Sequence, residues 1–328
     1  MQDVTIVKGS YRNSPLEDVR CKLLNPIKMG SKGWFGNFEI EGTGIIRVQL
    51  SSETSVVYHG TIKPSAEAVA AEEFTDEQIS SRIQDRFDIL DDIIAGVASD
   101  NVRSLIVSGA PGMGKSVGIQ NILDVEASRN GLEYNKVSGS IVSAFQLYQV
   151  LYENSDYNSV LILDDCDSLL FDSNCVNLLK AALESGNRPR IVSYNSESVV
   201  NLGLPKSFEF NGRVIFITNL NFQSIIDKDR TVSKHIAALV DRSLYLDLTM
   251  HTRREIWCRI ETMVRRNGML DSAGLDHATI NLILEYVKAR REDFRSLSLR
   301  TVAQLAQFAK TSPDGWRRMS EAFQIRPR

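Results

Sequence analysis

Gly109-Ala-Pro-Gly-Met-Gly-Lys-Ser116 is the most informative segment of this chain. It matches the pattern G-x-x-x-x-G-K-S/T at every fixed position, follows an apolar run at 104–107 and precedes a helix expected to begin near Ser116. Glycines let backbone N–H groups converge on phosphate oxygens, and the start of a helix adds its dipole and free donors. The alternative is a glycine-rich turn without a ligand, which the predicted strand and helix on either side argue against.

The positions of this phosphate loop have separate expected tasks. The ammonium of Lys115, which we expect to be exposed at the loop, would neutralise the β and γ phosphates, and the hydroxyl of Ser116 would reach Mg²⁺. The predicted nucleotide-binding residues are Gly109, Pro111, Gly112, Met113, Gly114, Lys115 and Ser116. The predicted cofactors are therefore ATP and Mg²⁺.

A second motif, Val-Leu-Ile-Leu-Asp-Asp-Cys-Asp at 160–167, is an apolar strand that ends in carboxylates. A buried strand would deliver Asp164 to the sheet edge beside the phosphate loop, where it can hold Mg²⁺ directly or through water. Asp165 would orient and polarise the attacking water. A solvent-facing acidic turn is the alternative, and the order of the two motifs along the chain argues against it.

Around these motifs, short apolar strands alternate with helices from about residue 101. The strands are predicted at 104–107, 134–137, 159–163, 213–217 and 244–248. Such runs are typical of strands buried on both faces of a parallel α/β sheet. After residue 250 the strand signals stop. Helices are predicted at 253–266, 278–290 and 296–310.

The N-terminal part of the chain has a different pattern. Short β-branched or aromatic runs predict strands at 4–7, 34–40, 45–50 and 55–58. A polar, alanine-rich segment follows, and Thr75-Asp-Glu-Gln opens a helix with an acidic first turn. The predicted domains are a small β domain at 1–62, a linker at 63–75, an α/β core at 76–250 and a helical domain at 251–328.

The composition is that of an ordinary globular protein, with 43% hydrophobic and 24% charged residues among 328. A net charge of -3 excludes a generally basic coat, but residues 252–328 contain 15 Lys and Arg against 9 Asp and Glu. This local excess could face an acidic partner, a nucleotide or solvent.

Four scattered cysteines without C-x-x-C spacing predict neither a zinc site nor a disulfide framework, and they fit a reducing cytosol. The N-terminus has no signal-peptide pattern, and no apolar run approaches the ~20 residues that span a bilayer. The expected location is the cytoplasm, with no membrane partner.

Together, the motifs resemble those of the AAA+ ATPase superfamily over about residues 75–312. Residues 109–116 resemble Walker A, and residues 161–165 resemble Walker B. Ile217-Thr-Asn219 ends the next apolar strand and resembles sensor 1, the polar residue between Walker B and the γ-phosphate. The resemblance thus implies Asp165 and Asn219 as catalytic residues.

Two arginines extend the resemblance. Arg242, in the segment at 237–243, stands where the family carries its arginine finger, which would reach the γ-phosphate of a neighbouring subunit. An ion pair with an acid on its own surface is the alternative. Arg300 resembles sensor 2 of the C-terminal lid, with Arg295 as the second candidate.

The resemblance implies an α/β fold: a P-loop core with a five-stranded parallel sheet, an α-helical C-terminal lid and, here, the small N-terminal β domain. It also implies a homo-oligomer, usually a hexameric ring, with ATP between subunits. One departure is Asp165, where the family usually has Glu, and this shorter side chain leaves the rate of hydrolysis open. The overall pattern also resembles AAA+ proteins encoded by tailed bacteriophages, which implies the host cytoplasm.

Two further stretches bear on the substrate. Residues 188–211 predict a strand-like excursion, which either projects towards a ring's pore or is a surface hairpin, and its Arg188 and Arg190 suggest contact with phosphate backbones. Residues 138–145 show no clean aromatic–hydrophobic–glycine gripping motif, and Phe145 and Tyr148 are expected in a helix core. The missing motif disfavours a polypeptide-threading unfoldase.

Four functions remain in competition. The leading hypothesis is an ATPase that moves or remodels nucleic acid or a nucleoprotein complex. The second is a protein remodeller that uses the N-terminal β domain as an adaptor. The third is a P-loop kinase, which the lid and the sensor-like residues disfavour. The fourth is a regulatory module that binds ATP with slow turnover or none.

Overall fold

In a computed structural model the chain divides into two units, Met1–Glu73 and Phe74–Arg328. The structure describes residues 2–11, 14–16, 18–24, 27–30, 33–40, 44–50, 55–58, 74–139, 141, 143–184, 189–227 and 231–327. Most of the predicted linker at 63–75 lies outside these residues. The predicted boundary between core and lid, at residues 250 and 251, falls inside the second unit and remains a prediction.

The first unit is an antiparallel β-sheet, which confirms the predicted N-terminal β region. Its strands are β1 (Gln2–Ile6), β2 (Gly9–Tyr11), β3 (Ser14–Leu16), β4 (Val19–Leu23), β5 (Lys28–Gly30), β6 (Gly33–Ile40), β7 (Gly44–Leu50) and β8 (Val56–Tyr58). Their order is β3-β2-β7-β6-β4-β1-β8, with β5 paired to β6. In β7 every second residue is buried, as the two-residue period of a one-sided sheet requires.

The second unit contains a five-stranded parallel sheet, which confirms the predicted core. In chain order the strands of this unit are β9 (Ser104–Ser108), β10 (Glu133–Ser138), β11 (Ser159–Asp164), β12 (Ile191–Ser193), β13 (Ser207–Glu209), β14 (Arg213–Thr218) and β15 (Leu244–Asp247). The parallel sheet has the order β10-β11-β14-β9-β15, and β12 pairs with β13 separately. Every residue of β9, β11 and β14 is buried, because helices cover both faces.

The helices of this unit are α1 (Asp76–Ala98), α2 (Lys115–Asn130), α3 (Ala144–Glu153), α4 (Ser173–Ala182), α5 (Glu197–Asn201), α6 (Phe222–Ile226), α7 (Thr231–Val240), α8 (Arg253–Arg265), α9 (His277–Arg290), α10 (Leu299–Thr311) and α11 (Trp316–Phe323). Helices α8 to α11 surround a core of their own that includes Trp257, Ile283 and Val302, which confirms the helical C-terminal region. Among the described residues, no helix combines the length and the apolar character needed to cross a bilayer.

Helix α1 begins as the sequence predicts. The hydroxyl of Thr75 accepts from the amide of Gln78, and the side chain of Gln78 accepts from the amide of Thr75, which forms a capping box. Not every apolar residue of α1 faces the core, and Ile89 is 48% exposed. The buried residues are Phe87, Leu90, Ile94 and Val97. They follow the three- and four-residue spacing of one helix face, and Ile89 lies off that stripe.

The predicted excursion at 188–211 contains β12 and β13 joined through α5. The side chain of Tyr148, buried in α3, donates to the carbonyl of Pro205, and its ring lies 5.2 Å from that of Phe208 and 5.7 Å from that of Tyr194. Tyr148 is thus a core residue of its helix, as predicted, and it also anchors this hairpin to α3.

The suggested contact of Arg190 with a phosphate backbone is wrong. Arg190 is buried and donates to the carbonyls of Ala182 and Gly212 at 3.0 and 2.8 Å. Burial lowers its pKa to about 10. The side chain therefore satisfies backbone groups at the end of α4 and before β14. Arg188 lies outside the described residues.

Candidate nucleotide-binding site

The phosphate loop joins β9 to α2 at the carboxyl edge of the parallel sheet. Gly112 and Gly114 have φ angles of 72° and 92°, left-handed values that glycine adopts without steric cost. A Cβ on Gly112 would lie 3.0 Å from the Cβ of Ser298, so a side chain there would crowd the helical lid. The loop turns tightly, and the first turn of α2 offers amides that no intrahelical bond uses.

Lys115 is buried, which corrects our expectation that it is exposed at the loop. Its ammonium donates to the carbonyls of Gly109 and Ala110 and, at 3.2 Å, to Oδ1 of Asn219. Burial lowers the pKa of Lys115, and the nearby carboxylate of Asp165 opposes that shift. These two loop carbonyls hold the Lys115 ammonium by hydrogen bonds. A bound phosphate would therefore compete with the carbonyls for the ammonium.

We expect Lys115→Ala to remove the rise in melting temperature that ATP and Mg²⁺ produce. A ligand at a hundred times its Kd stabilises a protein by about 2.7 kcal/mol. At ~2–4 °C per kcal/mol, this is a rise of roughly 5–10 °C. Scanning fluorimetry with and without nucleotide measures it, and Lys180→Ala on α4 is the control. Because Lys115 is buried, the nucleotide-free melting temperature separately reports any structural cost. An undiminished nucleotide-induced rise would contradict the assigned binding role.

The two adjacent acids at the end of β11 lie in different surroundings. Asp164 is 8% exposed, and its Oδ2 lies 2.9 Å from Nζ of Lys136. Asp165 is exposed, and its φ of 55° is in the left-handed region, which aspartate tolerates better than most residues. Its amide donates to the carbonyl of Ile217 on β14. One carboxylate is therefore paired and buried, and the other is open to solvent.

Asn219 links the phosphate loop to the second motif. It follows β14, the strand between β9 and β11, so its side chain reaches both neighbours. Its Oδ1 accepts from Lys115, and its Nδ2 donates to Oδ1 of Asp165. One amide thus joins the predicted phosphate-binding cation to the predicted catalytic carboxylate.

Asp167 supports this link, although no sequence motif assigns it a role. It accepts hydrogen bonds from the side chain of Thr218 and the backbone of Asn219. Burial raises its pKa. Its Oδ1 is buried and has no hydrogen-bond partner among the described residues. The sequence offered one signal, a third acid two positions after Asp165.

The lid contacts the phosphate loop directly. The amide of Leu299 donates to the carbonyl of Gly112 at 3.0 Å, at the start of α10. Arg300 follows and lines the cavity over the loop. Arg295 instead donates from Nε to the carbonyl of Ile325 near the C-terminus. Of the two candidates for sensor 2, the structure thus brings Arg300 to the site.

A cavity of about 640 Å³ connects these groups, within the roughly 300–1,000 Å³ typical of small-ligand pockets. The predicted residues that line it are Pro111, Gly112, Met113, Gly114, Lys115, Ser116, Asp164, Asp165, Asn219 and Arg300. Gly109 does not line the cavity, but its carbonyl accepts a hydrogen bond from the ammonium of Lys115.

One wall of this cavity is formed by residues that no sequence motif singles out. The wall consists of Gln84, Phe87, Asp91, Arg259, Met263, Asn267 and Met269. The guanidinium of Arg259 lies 3.4 Å from the ring centre of Phe87 and donates to Oε1 of Gln84 at 3.2 Å. Burial lowers the pKa of Arg259 to about 10. These residues come mainly from α1 and α8, far apart in sequence, and form no motif that could have revealed them.

Arg242 does not line this cavity as the described residues define it. Its Nε lies 3.2 Å from Oε2 of Glu184, and its Nη1 donates to the carbonyl of Ala238 at 2.8 Å. The two side chains of the ion pair are 31% and 43% exposed, so solvent screens the pair and it contributes at most about 1 kcal/mol. This weak pair leaves the arginine free to exchange partners.

The chemistry of the donor set fits Mg²⁺. The hydroxyl of Ser116 and the carboxylate of Asp164 both line the cavity, and they are hard oxygen donors. Mg²⁺ in proteins is usually held by one or two such groups together with substrate phosphates and water. Both predicted metal-binding residues are therefore suitably placed around the cavity.

A protein of Enterobacteria phage T4, the uncharacterized 36.7 kDa protein of the nrdC-mobD intergenic region, is 32% identical to this chain over 329 residues. The alignment covers 98% of each chain. The chain belongs to the same family as this phage protein. The predicted resemblance to phage-encoded proteins is thus confirmed, and the parallel sheet, phosphate loop and helical C-terminal region confirm the predicted AAA+ fold of this chain. No family model matches the chain.

Several solved structures are similar in fold. A mutant of RuvB from Thermotoga maritima is 13% identical, with a TM-score of 0.46 over 76% of this chain and 72% of its own. NtrX from Brucella abortus in complex with ADP is 15% identical, with a TM-score of 0.43 over 69% and 49%. The replication initiator DnaA bound to AMPPCP and single-stranded DNA is 12% identical, with a TM-score of 0.42 over 70% and 63%. At such scores the assignment of the fold rests on this chain's own sheet, loop and lid.

Proposed function

We propose that this chain is an ATPase that binds Mg·ATP in the cavity and hydrolyses it. The link Lys115–Asn219–Asp165 carries the proposal. The amide of Asn219, the polar sensor, is hydrogen-bonded both to Lys115, the phosphate-binding cation, and to Asp165, a carboxylate suited to polarise water. Mg²⁺, when bound by Ser116 and Asp164, would neutralise phosphate charge.

The active form is a homo-oligomeric ring, with six subunits as the AAA+ resemblance implies, working in the cytoplasm of the phage host. Arg242 supports this arrangement because it lies away from the cavity of its own chain and is held by a weak, partly exposed ion pair. In a ring it would complete the neighbour's site.

We infer that the substrate is nucleic acid or a nucleoprotein complex. The excess of basic residues between 252 and 328 supports this inference. Arg317 and Arg318 are adjacent, exposed residues of α11 in this region. Exposed arginines can contact phosphate backbones, whereas the buried Arg190 cannot.

Binding to single-stranded DNA, duplex DNA and RNA tests the substrate. With three phosphate contacts, affinity should fall roughly 40-fold for duplex DNA and roughly 20-fold for a single strand between 50 and 200 mM salt. Arg317→Gln combined with Arg318→Gln should weaken binding and flatten the salt dependence, whereas Arg129→Gln at the end of α2 is the matched control. ATPase rates measured with each nucleic acid show whether binding stimulates turnover. No binding at low salt would favour a protein-remodelling ATPase with the N-terminal unit as adaptor.

One observation favours a second function, a slow regulatory module that binds ATP. Asp165 is one methylene shorter than the glutamate usual in the family, and its backbone is left-handed. A carboxylate set back from the attacking water would slow hydrolysis without affecting binding. A single-turnover measurement separates the two functions, since the regulatory module would retain ATP intact.

A further inference from the structure

Lys136 is a largely buried lysine on the edge strand of the parallel sheet, and it belongs to none of the sequence motifs. It lies on β10, lines the same cavity, and its Nζ is 2.9 Å from Oδ2 of Asp164. The same ammonium donates to Oε1 of Gln120 at 3.1 Å. The side chains of Lys136 and Asp164 are only 24% and 12% exposed. The pair therefore lies largely out of water, where an uncompensated carboxylate would be costly.

The position of the ammonium relates it to the predicted metal ligands. Gln120 is four residues after Ser116 on α2, so both side chains lie on one face of that helix. Lys136 thus contacts Asp164, one of the predicted metal ligands. It also contacts Gln120, which lies one helical turn after Ser116, the other predicted ligand. Its charge also lies close enough to Asp164 to oppose the approach of a second cation.

We propose that the ammonium of Lys136 is the resident counter-ion of Asp164, and that a divalent metal must displace it to bind there. This inference rests on the proposed function of the site. Gln120 remains as one acceptor for the displaced ammonium. A phosphate oxygen of the nucleotide supplies a stronger, charged one in the shared cavity. Metal alone therefore binds weakly, and metal with nucleotide binds well, so Lys136 couples the two binding events.

The test measures metal affinity rather than turnover. Mn²⁺, which replaces Mg²⁺ and is counted directly by electron paramagnetic resonance, is titrated into the full-length chain without nucleotide. Lys136→Met is expected to bind Mn²⁺ about tenfold more tightly than the parent, because Asp164 loses its competing cation. Lys136→Arg keeps the charge and should bind Mn²⁺ as weakly as the parent. Lys310→Met, an exposed lysine on α10, is the control for a general change of charge.

Two further variants make the result decisive. Adding Asp164→Asn to Lys136→Met should abolish the gain in Mn²⁺ affinity. If the gain persists, the metal binds elsewhere and the proposal is overturned. Lys136→Gln replaces Lys136→Met if the latter does not fold. Equal or weaker Mn²⁺ binding in the folded neutral variants would also overturn it. Failure of the parent to bind ATP would instead refute the proposed function, which the nucleotide-free titration does not measure.

Discussion

Arg242→Ala is expected to lower the ATPase rate by a factor on the order of 10³–10⁵, the range that arginine fingers contribute. The arginine would stabilise charge that develops on the γ-phosphate of a neighbouring subunit in the transition state. Its loss should therefore reduce kcat and leave nucleotide affinity nearly unchanged. Steady-state rates and a fluorescent ATP analogue measure the two quantities separately.

The ion pair with Glu184 provides a matched control. If Arg242 served only to pair with an acid on its own surface, Glu184→Gln would be as harmful as Arg242→Ala. A finger acting on a neighbour predicts instead that Glu184→Gln keeps the ATPase rate, because the arginine is released rather than removed.

Mixing two inactive variants tests whether the site is shared. Arg242→Ala and Lys115→Ala subunits should each be inactive alone. In a mixed ring, some interfaces join an intact phosphate loop to an intact Arg242, so partial activity should return and should fall on dilution. Full activity of Arg242→Ala alone, or activity that persists through complete dissociation, would refute the ring model.

Asp165→Asn should slow hydrolysis by about 10²–10⁴, the usual contribution of a general base, while Mg·ATP still binds. Asparagine has the same shape and also tolerates the left-handed backbone at this position, so the fold should be retained. Asp164→Ala should in addition weaken the dependence of binding on Mg²⁺. Phosphate release after a single turnover gives the rate, and parental turnover in Asp165→Asn would exclude this carboxylate as the base.

The sequence predicted those features that are written in consecutive residues. The phosphate loop, the acidic strand end, the apolar strands and the capped helix α1 each have a local pattern, and the structure shows each of them. The strands β2 to β5 were missed because runs such as Ser14–Leu16 are three to five residues long and lack a β-branched or aromatic pattern.

The features of the site that the sequence did not predict depend on tertiary contacts. Burial of Lys115 depends on how the loop carbonyls and Asn219 converge, which no spacing reveals. Lys136 was not singled out, because pairing with Asp164 requires that β10 and β11 lie side by side in register. Arg190 looked like a surface cation for the same reason, since its acceptors at Ala182 and Gly212 are backbone groups brought near only by folding.

The hydrogen bond between the Leu299 amide and the Gly112 carbonyl attaches the first residue of α10 to the phosphate loop. Helix α10 leads away from this point for 13 residues, about 20 Å at the usual rise of 1.5 Å per residue. A tilt of only a few degrees at the loop therefore becomes a displacement of an ångström or more at the far end of the helix. Because α8 to α11 share one packed core, such a displacement would be carried to all four helices.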